Sequence, residues 1–144
     1  MLTIRKSQFS IPLLAMTAVV LAPAPAYAST AGDISPSQVL NTAPLYADTQ
    51  SYHSCNVVNV TTSAVQISVE IIESSGTVLA SSGSTPLNLA AGTSYELDVA
   101  PSYTGFARCR FTSNNPPGAI RANMTIFHSL GGGVFQTYAT SEAR

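Results

Sequence analysis

The sequence predicts an all-β protein, an antiparallel β-sandwich of seven or eight short strands that follows an export signal. Apolar and polar residues alternate along short runs, and these runs are separated by turn-forming Gly, Pro, Asn and Ser. No helical periodicity occurs after residue 28. This succession of strands and turns is typical of two stacked antiparallel sheets, and a closed barrel is the alternative.

The first 28 residues predict a signal peptide. Arg5 and Lys6 form a basic start, residues 11–22 are mostly apolar, and residues 26–28 (Ala-Tyr-Ala) match the small-x-small pattern of a signal-peptidase site. The apolar run is too short and too interrupted by proline to cross a membrane, which takes about 20 residues. We therefore expect an exported protein, periplasmic or extracellular and bacterial, with no membrane insertion after cleavage.

The rest of the chain predicts an arm, one domain and a tail. Residues 29–51 have little periodicity and predict a flexible or loosely docked N-terminal arm, with a short strand near 39–46. Residues 52–140 predict a single β-sandwich domain, and residues 141–144 predict a frayed tail. The predicted strands of the domain are 52–60, 64–73, 77–80, 86–90, 94–100, 106–113, 119–127 and 134–140.

Two of these strands, 106–113 and 119–127, are predicted to form a hairpin because Asn, Pro and Gly cluster between them. The register of that hairpin pairs Arg110 with Arg121 on its outer face and Arg108 with Asn123. The inward residues of the two strands are then Ala107, Cys109, Phe111, Ile120, Ala122, Met124 and Ile126.

The three arginines Arg108, Arg110 and Arg121 have two interpretations. The preceding strand can bring Glu96 and Asp98 beside them, which predicts surface ion pairs worth about 0–1 kcal/mol each. Alternatively, they form a bidentate site for a carboxylate or an acidic sugar. The ion-pair interpretation is the favoured one.

Phe106, Phe127 and Phe135 are predicted to lie on the same outward face as the arginines, where Tyr103 could join them from a loop. An exposed patch of aromatic residues and arginine is a common composition for a binding surface. We therefore take Phe106, Phe127 and the three arginines as candidate binding residues.

Cys55 and Cys109 predict a disulfide, because two cysteines in an exported chain face an oxidising compartment. A metal–thiolate site is the weaker alternative. In the chain-entropy model, closing a loop of this length stabilises the fold by about 4 kcal/mol.

Composition argues against nucleic acid and anionic membranes as partners. After residue 28 the chain has no lysine, and four arginines stand against seven acidic residues, a net charge of −3. A strongly basic patch of the kind that binds phosphate backbones is therefore not expected.

Motifs that carry chemistry are scarce. His53 and His128 are the only histidines and have no third ligand at metal-site spacing, so no metal or cofactor is expected. No G-x-S-x-G elbow occurs, so no enzyme is expected. Asn59 and Asn123 each begin an N-x-T pattern, which we interpret as chance matches at strand positions.

The frame from Cys55 to Cys109, with its late Arg-Cys-Arg-Phe segment, looks like that of many small exported β-domains, a likeness that implies no particular activity. The pattern of strands and turns predicts an immunoglobulin-like or fibronectin-like sandwich. The predicted function is a small, non-catalytic module that binds a partner protein or a surface polymer. The alternative is a structural subunit that assembles with its own copies through the N-terminal arm; a hydrolase or a metal-binding protein is less favoured.

Overall fold

The computed structural model describes residues 38–99 and 103–144, and every element in them is a β-strand. The predicted signal peptide and residues 29–37 of the predicted arm lie outside the described residues. The described residues contain no helix of the length and hydropathy that a membrane span requires. The ten strands are β1 (Gln38–Asn41), β2 (Leu45–Ala47), β3 (Ser51–Asn59), β4 (Val65–Glu73), β5 (Val78–Ser81), β6 (Leu87–Leu89), β7 (Ser94–Val99), β8 (Gly105–Ser113), β9 (Ile120–Gly131) and β10 (Val134–Glu142).

The strands form two antiparallel sheets, which confirms the predicted β-sandwich. In sheet 1, β8 pairs with β4 on one side and with β1 and β2 on the other, and β4 also pairs with β5 and β6. Sheet 2 has the strand order β10–β9–β3–β7. The two sheets bury a shared apolar core, whose largest fully buried side chains include Phe111, Ile67, Ile71, Ile120, Met124, Ile126 and Val57.

Strand β4 illustrates why these residues form strands. Val65, Ile67, Val69 and Ile71 alternate with polar residues and all four are buried. Successive side chains of a strand point to opposite faces, so this spacing places all four side chains in the core. Their β-branched side chains also favour the extended backbone.

The predicted disulfide is present and joins the two sheets. Cys55 lies on β3 in sheet 2 and Cys109 lies on β8 in sheet 1, and their Cα atoms are 5.8 Å apart. Both residues are fully buried. The bridge therefore crosses the middle of the core and connects segments 54 residues apart in the chain.

The predicted hairpin of 106–113 with 119–127 is wrong, because β8 and β9 belong to different sheets. Both edges of β8 are occupied within sheet 1, and both edges of β9 are occupied by β3 and β10. The connection crosses between the sheets: the Asn114 amide donates to the Gln66 carbonyl, and the Val60 amide donates to the Ala119 carbonyl. The inward faces of both strands are nevertheless as predicted.

Both ends of the described chain are paired into the sandwich. The predicted short strand near 39–46 is present as two strands, β1 and β2. β1 and β2 both pair with β8, so residues 38–47 form an edge of sheet 1. Pro44 lies between these two strands, at an edge where a missing N–H is tolerated. At the other end, β10 continues to Glu142, and Arg144 exchanges two backbone hydrogen bonds of 3.0 Å with Asn41. The tail therefore links the two sheets.

The β9–β10 hairpin closes through glycine. Gly132 and Gly133 form the turn with φ of 61° and 78°, and positive φ at both central residues is what a type I′ hairpin turn requires. This tight turn places the start of β10 beside the end of β9.

Candidate functional site

The five candidate binding residues lie on opposite outer faces of the sandwich. Phe106, Arg108 and Arg110 project from β8 on sheet 1, whereas Arg121 and Phe127 project from β9 on sheet 2. The single predicted patch is therefore not formed. The predicted pairing of Arg110 with Arg121 is wrong, because these residues belong to different sheets.

The predicted contacts of Glu96 and Asp98 with Arg110 and Arg108 are wrong for the same reason. Both acidic residues lie on β7 in sheet 2. Glu96 instead accepts a 2.7 Å hydrogen bond from the buried Ser54 hydroxyl. Burial raises the pKa of Asp98; a hydrogen bond from Ser54 opposes this rise, and the charge of Glu96 adds to it.

On sheet 1, both arginines have partners on neighbouring strands. Arg110 places Nε 2.6 Å and Nη2 2.5 Å from Oε2 of Glu70, its cross-strand neighbour on β4. Nη1 of Arg108 donates to Oδ1 of Asn41 at 2.6 Å. An ion pair is thus present, with Glu70 as its acid. The two guanidinium groups are engaged within the sheet.

Aromatic side chains accompany these strands on both faces. On sheet 1, Phe106 lies opposite Tyr46 of β2, with ring centroids 5.2 Å apart. On sheet 2, Tyr52 of β3 stacks on Phe127 at 5.4 Å and receives the edge of Phe135 at 5.6 Å. Such ring pairs add to the stability that burial alone gives.

These two aromatic groups lie toward the same end of the sandwich, one on each of its opposite outer faces. Tyr46 and Tyr52 stand on either side of the short β2–β3 turn, so the pair on sheet 1 and the cluster on sheet 2 share that end. Tyr138 of β10 lies toward the same end, and its ring is 6.1 Å from that of His128. We call this surface the aromatic end; its residues are Tyr46, Tyr52, Phe106, Phe127, Phe135 and Tyr138.

The aromatic end is strongly exposed. Phe106 and Phe135 are 52% and 51% exposed, and Tyr138 is 76% exposed. With Tyr46, these are all the exposed aromatic residues among 38–99 and 103–144. The sequence did not single out Tyr46, Tyr52 or Tyr138 as candidate binding residues. The alternation of side chains along β3 could have placed Tyr52 on the outer face. No local sequence pattern shows that these strands lie at the same end of the sandwich.

A serine, a histidine and an aspartate also meet near this end. The Ser51 hydroxyl donates to Oδ1 of Asp48 at 2.7 Å and lies 2.9 Å from Nδ1 of His128. The serine therefore stands between the acid and the imidazole, and it is only 2% exposed. A nucleophilic relay needs the imidazole between an accessible serine and the acid. This cluster instead fixes the β2–β3 turn.

The aspartate of this cluster is held in its charged form. Hydrogen bonds from the Ser51 hydroxyl and the Gln50 amide lower the pKa of Asp48, and the nearby His128 lowers it further.

His53 lies two residues before Cys55 on β3, so its side chain points to the same inner face of sheet 2. It is fully buried. Its Nε2 donates to the Leu45 carbonyl at 3.0 Å, and its ring lies 5.8 Å from that of Tyr103. Nδ1 has no partner among the described residues. Burial lowers the pKa of His53, and the hydrogen bond to Leu45 only partly offsets this effect. Within 38–99 and 103–144, no three His, Cys, Asp or Glu residues are grouped to hold a metal ion.

The first N-x-T pattern has a structural role. The Asn59 side chain is fully buried, and its Nδ2 donates to the carbonyls of Ser63, Leu89 and Ala90 at 2.7, 3.0 and 3.1 Å. Its Oδ1 accepts from the amide and the hydroxyl of Thr61. Asn59 thus ties together the β3–β4 and β6–β7 loops, and its nitrogen is not accessible to a modifying enzyme.

Comparison with known proteins supports the fold alone. No family model and no curated protein matches the chain. The crystal structure of Thermotoga maritima 1070 is similar, with a TM-score of 0.52 and 10% identity over 76% of this chain and 95% of that one. FlgD from P. aeruginosa aligns over 78% of this chain and 75% of that one at 16% identity, with a TM-score of 0.30.

Proposed function

We propose that this chain is an exported, non-catalytic binding module, periplasmic or extracellular in a bacterium. It contacts a partner protein or a surface polymer through the aromatic end. The observation that carries the proposal is that the four exposed aromatic residues of the described chain, two in each sheet, all lie toward one end of a domain with few charged residues. Exposed apolar patches of this kind mark interaction sites, and aromatic side chains supply most of the binding energy in such contacts.

Three further features support the proposal. The bridge from Cys55 to Cys109 suits an oxidising compartment. The predicted signal peptide supplies the export route. Ser51 is buried between Asp48 and His128, and this position supports a non-catalytic role, because a buried hydroxyl that donates to the acid cannot attack a substrate.

Paired substitutions test the aromatic end. Phe106→Ser, Phe135→Ser and Tyr138→Ser each remove an exposed ring, while Val39→Ser and Val60→Ser are matched controls with 47% and 52% exposure at the other end. Binding of the labelled chain from residue 29 to protein and polysaccharide fractions of the source cell envelope is the measurement. The aromatic variants should weaken binding at least about tenfold, equivalent to about 1.4 kcal/mol, with the controls unchanged. Equal losses in both sets would refute the proposal.

Self-assembly is the second candidate, and strand β10 favours it. β10 is an edge strand of sheet 2 with Val134, Phe135 and Tyr138 exposed, and it carries neither lysine nor proline. Natural edge strands usually carry such residues to prevent pairing with another chain. A second copy could extend sheet 2 along β10.

Light scattering tests this candidate. The predicted arm can donate a strand only through residues 29–37, because residues 38–47 already pair with β8. The chain from residue 29 is compared with the chain from residue 38 and with Tyr138→Lys, which places a charge on the β10 edge. A dimer that Tyr138→Lys abolishes supports pairing along β10, and a monomer in all three samples excludes self-assembly.

A further inference from the structure

The two outer faces of the sandwich carry net charges of opposite sign. On sheet 1, Arg108 and Arg110 point outward from β8, and Glu70 points outward beside them from β4. Glu70 pairs with Arg110, whereas the Arg108 guanidinium donates to the neutral side chain of Asn41 and has no acidic partner among residues 38–99 and 103–144. The outward side chains of β4 and β8 therefore present one uncompensated positive charge.

The outer face of sheet 2 is acidic. Glu96 and Asp98 point outward from β7, and Glu142 points outward from β10. All three are exposed, and none forms an ion pair within the described chain. Arg121 is the basic residue of this face, so its side chains carry three negative charges and one positive charge. Surfaces of opposite charge steer two molecules together and fix how they meet.

The aromatic residues of the two faces lie at matching levels along the strands. The disulfide between Cys55 and Cys109 marks one level in both sheets. Tyr52 and Phe106 each lie three residues before the cysteine of their own strand, and β3 and β8 both begin toward the aromatic end. At about 3.3 Å per residue, both rings lie roughly 10 Å from the disulfide in the same direction.

The charged residues match in the same way. Arg108 directly precedes the cysteine of β8, and Asp98 is the cross-strand neighbour of Ser54, which directly precedes the cysteine of β3. Arg110 and Glu96 share the level on the other side of the disulfide by the same relation. Each outward arginine of sheet 1 therefore has an outward acid at its own level on sheet 2.

We propose that the outer face of sheet 1 binds the outer face of sheet 2 of a second copy of this chain. A second copy displaced perpendicular to the sheets brings its Tyr52 and Phe127 toward Phe106, and its β7 acids toward Arg108. Because the contact joins two different faces, every copy keeps one face free, and the contact can repeat into an open-ended stack. The inference rests on the proposed function of the aromatic end as a contact surface, and it names a second copy as the partner.

Sedimentation velocity of the exported chain from residue 29, over a range of concentrations, tests the inference. The mean sedimentation coefficient should rise with concentration, and this rise should diminish at high salt, which screens the charges. Arg108→Glu and Asp98→Arg should each weaken association at least about tenfold, because each places like charges across the contact. Arg121→Glu is the matched control; it adds negative charge to the acidic face and should not weaken association.

The double variant Arg108→Glu/Asp98→Arg exchanges the two charges across the contact and should restore association. A wild-type chain that is monomeric at every concentration overturns the inference. A double variant that stays as weak as the single variants, with the fold intact by circular dichroism, overturns it as well.

Two further measurements separate this contact from the other proposed contacts. Tyr138→Lys should leave the stacking association unchanged; association that Tyr138→Lys abolishes and Arg108→Glu does not change overturns stacking in favour of pairing along β10. Binding to cell-envelope fractions is measured on the same samples. A monomeric chain that still binds these fractions overturns the stacking inference alone, whereas a chain that associates without binding them supports stacking and refutes an envelope partner.

Discussion

Arg110 on β8 and Glu70 on β4 are cross-strand neighbours, and the guanidinium group of Arg110 contacts Oε2 of Glu70 through two of its nitrogens. Arg108, two residues before Arg110 on β8, donates a single hydrogen bond to Oδ1 of Asn41 on β1. The two arginines of β8 therefore connect it to its neighbouring strands β4 and β1 in sheet 1. Arg121, on the other sheet, makes no ion pair and no side-chain hydrogen bond with another described residue.

The Glu70–Arg110 pair should contribute little to stability, because the two side chains are 23% and 41% exposed. We expect Glu70→Gln to lower the free energy of unfolding by about 0.5–1 kcal/mol, and the loss should shrink as salt screens the pair. Urea unfolding at low and high salt, with Arg110→Gln and the double variant, isolates the coupling of the two residues. A coupling above about 2 kcal/mol, or one independent of salt, would contradict this prediction.

Alternation predicted the faces of the strands well, and it could not predict their partners. The inward positions of Cys109 and Phe111 follow from a period of two residues, which each strand carries in its own sequence. Which strand lies beside β8 depends on contacts distant in the chain, such as Ile71 opposite Cys109. The Asn, Pro and Gly residues at 114–118 predict that the chain reverses direction. They do not distinguish a hairpin within one sheet from a connection between two sheets.

The disulfide between Cys55 and Cys109 should supply a large part of the stability. It closes a segment of 54 residues, and in the chain-entropy model its loss costs about 4 kcal/mol. We expect the double variant Cys55→Ala/Cys109→Ala to lower the free energy of unfolding by about that amount in urea titrations. Reduced wild-type protein is the control and should show the same loss. Two free thiols per chain in the unreduced exported protein would contradict the prediction.

Asn59 should be the most sensitive polar position of the described chain. Its Nδ2 satisfies three loop carbonyls, so Asn59→Ala leaves several acceptors unpaired, and we expect a loss of about 2–4 kcal/mol. Asn59→Asp should lose at least as much, because it directs a carboxylate at the same carbonyls. Asn88→Ala is the control, because Asn88 is exposed and its side chain makes no hydrogen bond with another described residue; it should stay within about 0.5 kcal/mol of wild type. Thermal and urea unfolding of the three variants would check this, and a glycan found on Asn59 would contradict it.

Only part of the candidate sites could be predicted from the sequence. The alternation of side chains placed Phe106 and Phe127 outward, but their position at the same end as Tyr138, on two different sheets, depends on the β9–β10 hairpin and on the β2–β3 turn. Gln38 and Arg144 come from opposite ends of the described chain and line one cleft beside Arg121. Such juxtapositions leave no local pattern, because topology alone creates them.

His53 should make the protein less stable in mild acid. Its imidazole is fully buried, and burial lowers its pKa in the folded state below the value of about 6.5 expected when unfolded. The unfolded state then binds more protons below pH 6.5, so the stability present above that pH is lost as the pH falls toward the folded pKa. One such group gives a slope of at most about 1.4 kcal/mol per pH unit. Urea unfolding between pH 7.5 and pH 5 should show this decline in wild type and in His128→Gln, whereas His53→Gln, which keeps a donor toward the Leu45 carbonyl, should remove it. A decline that persists in His53→Gln would assign the acid sensitivity to another group.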